Sequence, residues 1–180
     1  METPHLRLEQ IDLSHLEEYH RVWVNPATTK WTSRGPSKTI EESKEKLTGI
    51  LPDNNRPGVD NHVVFIREPP ADDNEGHWLI GVVGVHRTDP VPELGYLFHP
   101  SAWGKGYATE SVAAFVKHYF TIRPEANVIE AKVDTKNFAS IRVLQKCGFV
   151  EEETIVGGAQ QAWLDPPVRD LVVYRLRREI

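Results

Sequence analysis

The chain has 180 residues, of which 39% are hydrophobic, with a net charge of −5 and a single cysteine. A chain of this length and apolar share can bury one core of ordinary domain size, and its negative charge argues against nonspecific association with nucleic acid or anionic membranes. No apolar stretch approaches the ~18 residues of a helical membrane span, the opening METPHLRLEQ has no apolar signal region, and a lone cysteine excludes an internal disulfide. A soluble protein of the reducing cytoplasm is therefore expected.

In chain order, Leu6–Ile11 alternates apolar and polar residues as a half-buried strand does. Ser14 and Glu17 then read as a capping box with Leu13 as its hydrophobic staple, opening a helix whose Leu16, Tyr19 and Trp23 share one face. Asn25-Pro26 should stop it. A second helix starts at Thr39, which forms another capping box with Glu42, and Ile40, Leu47, Ile50 and Leu51 give it an apolar side. The segment between these helices, ATTKWTSRGPS, reads as an exposed connector carrying Trp31, which either packs on a helix edge or walls a cleft. Pro52–Asn61 is a loop, His62–Arg67 a strand, Glu68–His77 an unstructured tip, and Trp78–His86 the returning strand of a long hairpin. Gly81 and Gly84 within that strand predict a bulge or a close backbone approach.

A third strand, ELGYLF (Glu93–Phe98), leads through HPSAWGKGYAT into a helix with Ala108, Val112, Phe115, Val116 and Tyr119 on one stripe. Asn127–Asp134 alternates as a strand, so this unit implies a right-handed crossover. Asn137 caps a further helix over Phe138–Cys147, with Lys146 in its last turn and Gly148 as its left-handed stop. Strands starting at Phe149 and over Asp170–Leu176 complete a mixed α/β order. Arg175, Arg177 and Arg178 read as a solvated strand end. Without repeats or a linker, one domain over residues 1–180 is expected.

Chemistry concentrates at the glycine turn. Gly104 and Gly106 remove Cβ atoms from its main chain, and the helix that follows offers free N–H groups and a positive dipole end. A phosphate or pyrophosphate suits such a place. Tyr107 stands where a Walker motif needs lysine, and Thr109 where a dinucleotide fingerprint needs its third glycine. Taken alone, the turn fits either anion binding or a plain strand-to-helix connection. The eight histidines show no metal-ligand spacing, a single cysteine cannot build a zinc site, and no metal is expected. His86 and His99 read as surface histidines, and Cys147 as a small core residue.

W-G-K-G-Y-A-T-E followed by N-x-x-S-x-x-x-L-x-x-x-G-F (Asn137, Ser140, Leu144, Gly148, Phe149) resembles the GNAT superfamily of acyl-CoA-dependent N-acetyltransferases. The pairing of Glu93–Tyr96 with Asn137–Phe149, together with Trp163 to Tyr174, is similar to the RimJ/RimL-like branch, the ribosomal-protein-alanine acetyltransferases. The likeness is strongest over Glu93–Phe149 and weaker over most of the chain. It implies a GNAT-like mixed, mostly antiparallel sheet flanked by helices and splayed near the turn. It also implies acetyl-CoA as co-substrate, held by Phe98, Trp103, Gly104, Lys105, Gly106, Tyr107, Ala108, Thr109, Asn137 and Ser140. Trp103 stands where the family turn usually carries Gln or Arg, so the backbone amides rather than that side chain carry the implication.

An ammonium group is no nucleophile, with a pKa near ~10, so attack on a thioester needs a proton acceptor. Glu93 is the candidate, directly or through water. A main-chain N–H of the same strand would serve the oxyanion. Ser140, one helical turn before Leu144, is the candidate for giving the thiolate a proton or a hydrogen bond. Leu144 occupies the position where another branch has a tyrosine acid. The acceptor, a protein N-terminus or a small amine, is expected between Trp31 and the Gly157–Asp165 segment with Trp163, where Asp165, Asp170 and Glu151–Glu153 would favour a cation. Two rivals are a non-catalytic acyl-CoA-binding or regulatory module and a nucleotide-binding protein unrelated to CoA. A monomer or homodimer is expected.

Overall fold

The structure, a computed structural model, describes residues 1–52, 56–68 and 79–178. Seven strands form one sheet: β1 (Leu6–Gln10), β2 (Asp60–Ile66), β3 (Leu79–Arg87), β4 (Glu93–Phe98), β5 (Val128–Asp134), β6 (Val150–Gln160) and β7 (Val168–Arg177), in the order β1-β2-β3-β4-β5-β7-β6. All neighbours are antiparallel except β4 and β5, which are parallel and share one register pair, Glu93 with Glu130. Beyond that pair the two strands part. Parallel neighbours need a crossover, here the 16-residue helix α4 (Tyr107–Ile122). No helix among the described residues is long and apolar enough to cross a membrane.

Strand alternation divides the apolar residues between two faces. Leu94 and Phe98 of β4, Ile129, Ala131 and Val133 of β5, and Val112, Phe115, Val116 and Tyr119 of α4 share one core with Leu144 of α5 (Phe138–Lys146). On the opposite face, Val63, Phe65, Leu79 and Val82 pack with Tyr19, Val22 and Trp23 of α1 (Leu16–Trp23) and Leu47 of α3 (Ile40–Thr48), with Leu97 against them. Gly81 and Gly84 answer to close approach. A Cβ at Gly81 would lie 2.4 Å from the Phe98 ring, and one at Gly84 would lie 2.5 Å from the Asn61 Cα. The β2–β3 register also slips between Val64 and Phe65.

Several local expectations need correction. The first cap is Asp12, not Ser14. Its carboxylate accepts from Ser14 N at 2.8 Å and from the Ser14 hydroxyl at 2.5 Å, which spends the serine as a donor, and a 3₁₀ turn over Leu13–His15 precedes α1. Asn25-Pro26 ends α1 and also opens a new short helix, α2 (Pro26–Thr29), with Asn25 as cap and proline in its first turn. Thr39 caps α3 through Glu42 N, whereas the Glu42 carboxylate turns to Lys38 N at 2.7 Å. Asn137 caps α5 by accepting from Ser140 N, and Gly148 follows it at φ 84°. β2 starts two residues before the expected His62, and Gly157–Gln160 belong to β6 across a register shift between Ile155 and Ala159. The tip expected over Glu68–His77 lies outside the described residues beyond Glu68, as do Trp78 and residues 53–55 of the preceding loop.

Of the C-terminal arginines, Arg177 is exposed as a solvated strand end should be, whereas Arg175 and Arg178 are half-buried. Arg175 pairs with Glu130 and Glu152, and Arg177 with Glu152. Arg178 donates to the carbonyls of Phe120, Arg123 and Ala126 at 2.7–3.0 Å. These carbonyls lie at and just beyond the C-terminal end of α4, where a cation is favoured.

Candidate active site

β4 ends at Phe98, and His99 then accepts from Ser101 N to close a 3₁₀ turn over Pro100–Ala102. Gly104 (φ 73°) and Gly106 (φ 83°) both adopt the left-handed conformation, and a Cβ on either would meet nothing within 4 Å. Their openness is toward empty space beside the N-terminus of α4. Gly106 is the cap residue and offers no side chain. The first helical bond runs from Glu110 N to Gly106 O at 3.0 Å. The amides of Tyr107, Ala108 and Thr109 ahead of it therefore have no helical acceptor. Glu110, which could compete as an internal anion, is tied down by Thr3 Oγ1, His5 N and His5 Nδ1 at 2.5–2.9 Å. Trp103 is half-exposed, and its indole N–H donates to Phe98 O at 2.8 Å, so it braces the turn and has no donor left for a ligand. Lys105 is exposed in the turn. Such an array can receive an anion.

The strand leading into this turn has an edge that β5 leaves unpaired, with the Phe98 carbonyl taken by Trp103. His99 N donates to Ile80 O and Glu130 N to Pro92 O. Alternation then turns the main-chain groups of Tyr96 and Phe98 toward the side from which β5 has diverged. The Phe98 ring itself is buried against Gly81, so only its backbone borders the gap. Across the gap, the Tyr96 hydroxyl donates to Ser140 O at 3.1 Å and lies 2.6 Å from Ser140 Oγ. A phenol has one proton. When the carbonyl takes it, the serine hydroxyl donates to the phenolic oxygen. Burial pushes the Tyr96 pKa up, more than the bond from Ser140 lowers it, and the phenol stays neutral. Tyr96 is the residue that sequence reasoning missed. Its signal was strand alternation, which sets it on the opposite face from Glu93 and on the same face as α5.

Glu93 and Ser140 therefore stand on opposite sides of the sheet. Glu93 is largely buried and accepts from Lys132 Nζ at 3.1 Å, contacts Arg87, and has His86 Nε2 3.5 Å from its other oxygen. Burial raises its pKa, but hydrogen bonds from His86 and Lys132 and their charges outweigh this and hold the carboxyl at about 2. Lys132 continues to Glu130 at 3.0 Å, and Glu130 to Arg175 at 2.7 Å. The result is a ladder of alternating charge across β4, β5 and β7.

The fold has known counterparts. The profile of the acetyltransferase (GNAT) domain matches residues 5–150. The chain belongs to the GNAT acetyltransferase family. It is 28% identical over 153 residues to an uncharacterised N-acetyltransferase p20 of Bacillus licheniformis, covering 83% of this chain and 82% of that one. Among solved structures, a RimL ribosomal L7/L12 α-N-protein acetyltransferase in complex with coenzyme A superposes with a TM-score of 0.79 at 20% identity, covering 97% and 95% of the two chains. Spermidine N-acetyltransferase from Vibrio cholerae, in complex with CoA and spermine, gives 0.77 at 20% identity, covering 97% and 96%. At that identity these two show the shared fold.

In this acetyltransferase the early connector is anchored. Lys46 Nζ, buried, donates to Gly35 O at 2.8 Å and Ser37 Oγ at 3.0 Å. Gln161 Nε2 donates to the carbonyls of Trp31 and Thr32, both at 3.1 Å, and Trp163 Nε1 to Lys30 O at 3.3 Å. Trp31 and Trp163 thus lie in one wall, and the expected opening between their two segments is bridged. Lys30 Nζ stands 4.7 Å and the Arg169 guanidinium 5.7 Å from the centre of the Trp31 ring. Arg169 is held in turn by Asp134 at 2.6 and 3.0 Å. The expected acidic attraction is also weaker than composition implies. Glu152 and Glu153 face arginines, Glu151 accepts from Tyr174, and Asp170 accepts from Gly157 N. Burial pushes the Cys147 thiol up to about 11, and its Sγ donates weakly to Thr109 O at 3.5 Å, so it is no ready nucleophile. The histidines are not all dispersed, since folding brings His62 and His118 beside Asp60.

Proposed function

We propose that this acetyltransferase uses acetyl-CoA and passes the acetyl group directly to a primary amine. The observation that carries the reading is the uncapped, glycine-opened N-terminus of α4, continuous with the unpaired edge of β4. The amides of Tyr107–Thr109 hold the diphosphate, with Gly104, Lys105 and Gly106 around it and Asn137 beside the pantetheine arm. The arm runs along the Tyr96 and Phe98 backbone, and a main-chain N–H there stabilises the oxyanion. The thiolate leaves toward Ser140, whose hydroxyl turns from the Tyr96 oxygen to hydrogen-bond the sulfur, and the thiolate takes its proton from solvent. The amine arrives on the other face, bordered by Trp31 and Trp163. Glu93 orients it, or an intervening water, by charge. A carboxyl titrating near 2 is a poor store for a proton from an ammonium near ~10, so the proton passes on through water to solvent.

Direct transfer is favoured because Cys147, the one thiol, is protonated and turned toward α4. The named neighbours acetylate a protein N-terminus or spermidine, and both are primary amines, so a screen should span peptides with free N-termini, polyamines and amino acids. The test is thiol release from acetyl-CoA with that panel, paired with thermal shifts for acetyl-CoA, ATP and NAD. Selective stabilisation by acetyl-CoA and acceptor-dependent release are expected. CoA binding without release for any amine would leave only a binding module, and equal shifts with ATP would remove the CoA assignment.

A further inference from the structure

Beneath α4, on the face of the sheet that carries Ser140, three potential ligands converge. Asp60 and His62 are alternate residues of β2 and both point at the helix, where His118 points back. One ligand atom from each lies within 4.8 Å of the other two. Asp60 and His62 are more than nine-tenths buried, yet Asp60 Oδ2 and His62 Nδ1 have no hydrogen-bond partner. Unpartnered buried polar atoms are costly. His118 Nε2 stands 3.5 Å from Asp60 Oδ2, and His62 Nδ1 stands 3.7 Å from Asp60 Oδ1. An ion pair between His118 and Asp60 alone would still leave His62 Nδ1 orphaned.

We propose that Asp60, His62 and His118 bind a divalent first-row transition-metal ion. Ligands at ~2.0–2.1 Å around a tetrahedral centre stand about 3.4 Å apart, so the present separations of at most 4.8 Å must shorten on binding. Two imidazoles and one carboxylate suit Zn²⁺ and its neighbours and do not suit Ca²⁺ or Mg²⁺, which take oxygen. Gln10 Nε2 donates to Asp60 Oδ1 at 3.2 Å and fixes the carboxylate, the usual part of an outer partner. His62 is also held edge-on by Phe115 at 5.7 Å between ring centres. His118 is partly exposed, which gives the ion an entry path and a fourth position for water.

His118 lies eleven residues along α4 from Tyr107, a rise of ~16 Å. The ion therefore ties the middle of α4 to β2 at a distance from the reacting groups, and its effect is on stability. The site is independent of the acetyl-transfer reading.

The test uses tag-free, chelator-stripped protein titrated calorimetrically with ZnCl₂. One equivalent is expected to bind, and at Zn²⁺ about 100-fold above its Kd the Tm should rise by about 5–10 °C. His118→Ala should weaken that binding at least tenfold, whereas His5→Ala, which removes a separate surface histidine beside Glu110, should not. Co²⁺ should shift the His62 and His118 ring-proton resonances of the wild-type protein, a readout that needs no variant. Absence of stoichiometric uptake, full affinity in His118→Ala, unshifted His62 and His118 resonances, or loss of binding in Cys147→Ser would each overturn the proposal.

Discussion

Replacing Gly106 by alanine separates backbone strain from ligand contact. Gly106 sits at φ 83°, and its added Cβ would touch no protein atom within 4 Å. The folded protein should therefore lose only the cost of placing an L-residue in the left-handed region, about 1–2 kcal/mol. For a chain of this size that is roughly 2–8 °C in Tm. Ligand binding should suffer more. The methyl group would enter the space in front of the Tyr107–Thr109 amides, and losing one charge-assisted hydrogen bond costs about 1.5–3 kcal/mol. CoA affinity should fall roughly tenfold to a hundredfold. Gly157→Ala is the matched control. Gly157 has φ 64°, its Cβ would meet Val168 at an ordinary 3.5 Å, and it lies on β6, three strands from β4 in the sheet order. It should cost similar stability and leave CoA affinity unchanged. Calorimetric titration with CoA and a thermal melt on the three proteins decide the matter. Equal loss of CoA affinity in both variants, or none in Gly106→Ala, would refute the assignment of these amides.

Further outcomes are expected. Ser140→Ala and Tyr96→Phe should each lower kcat at least tenfold, with KM for acetyl-CoA changed less than about twofold, because both hydroxyls serve the departing thiolate. Their double variant should be no slower than Ser140→Ala, and additive losses would show that Tyr96 does not act by positioning Ser140. Glu93→Gln should cut turnover while CoA still binds, and unchanged turnover would remove Glu93 from the reaction. Glu93 also predicts an acid limb. Its folded pKa of about 2 lies below the ordinary 4.5, so its stabilisation is complete above 4.5 and disappears as pH falls from there toward 2. Stability curves of wild type and Glu93→Gln should converge across that window, and parallel curves would contradict the cation cluster around the carboxylate. Asp134→Ala should lower the urea midpoint, since Arg169 would lose both hydrogen bonds of its ion pair. An unchanged midpoint would show that water solvates that arginine.

Local chemistry made much of this protein legible. The apolar stripe of α4, the alternation of β4 and β5, the Asn137 cap and the Gly148 stop are interactions between residues a few positions apart, and each appears where its residues require. The Gly104–Gly106 turn belongs with them, because a left-handed backbone is a property of single residues. Other features were set by partners far along the chain. Ser14 lost its capping role to Asp12 because a carboxylate two residues back offers a better acceptor, and Arg178 found the end of α4 more than fifty residues away. No spacing rule relates Tyr96 to Ser140, Lys132 to Glu93, or His118 to Asp60 and His62, since the sheet order and the α4 crossover create those neighbours. Sequence by itself determined the seven strands, the longer helices, the left-handed glycine turn and the family. Which face each polar residue shares, and with whom, was decided only when hydrophobic burial on both sides of the sheet forced the strands into one register.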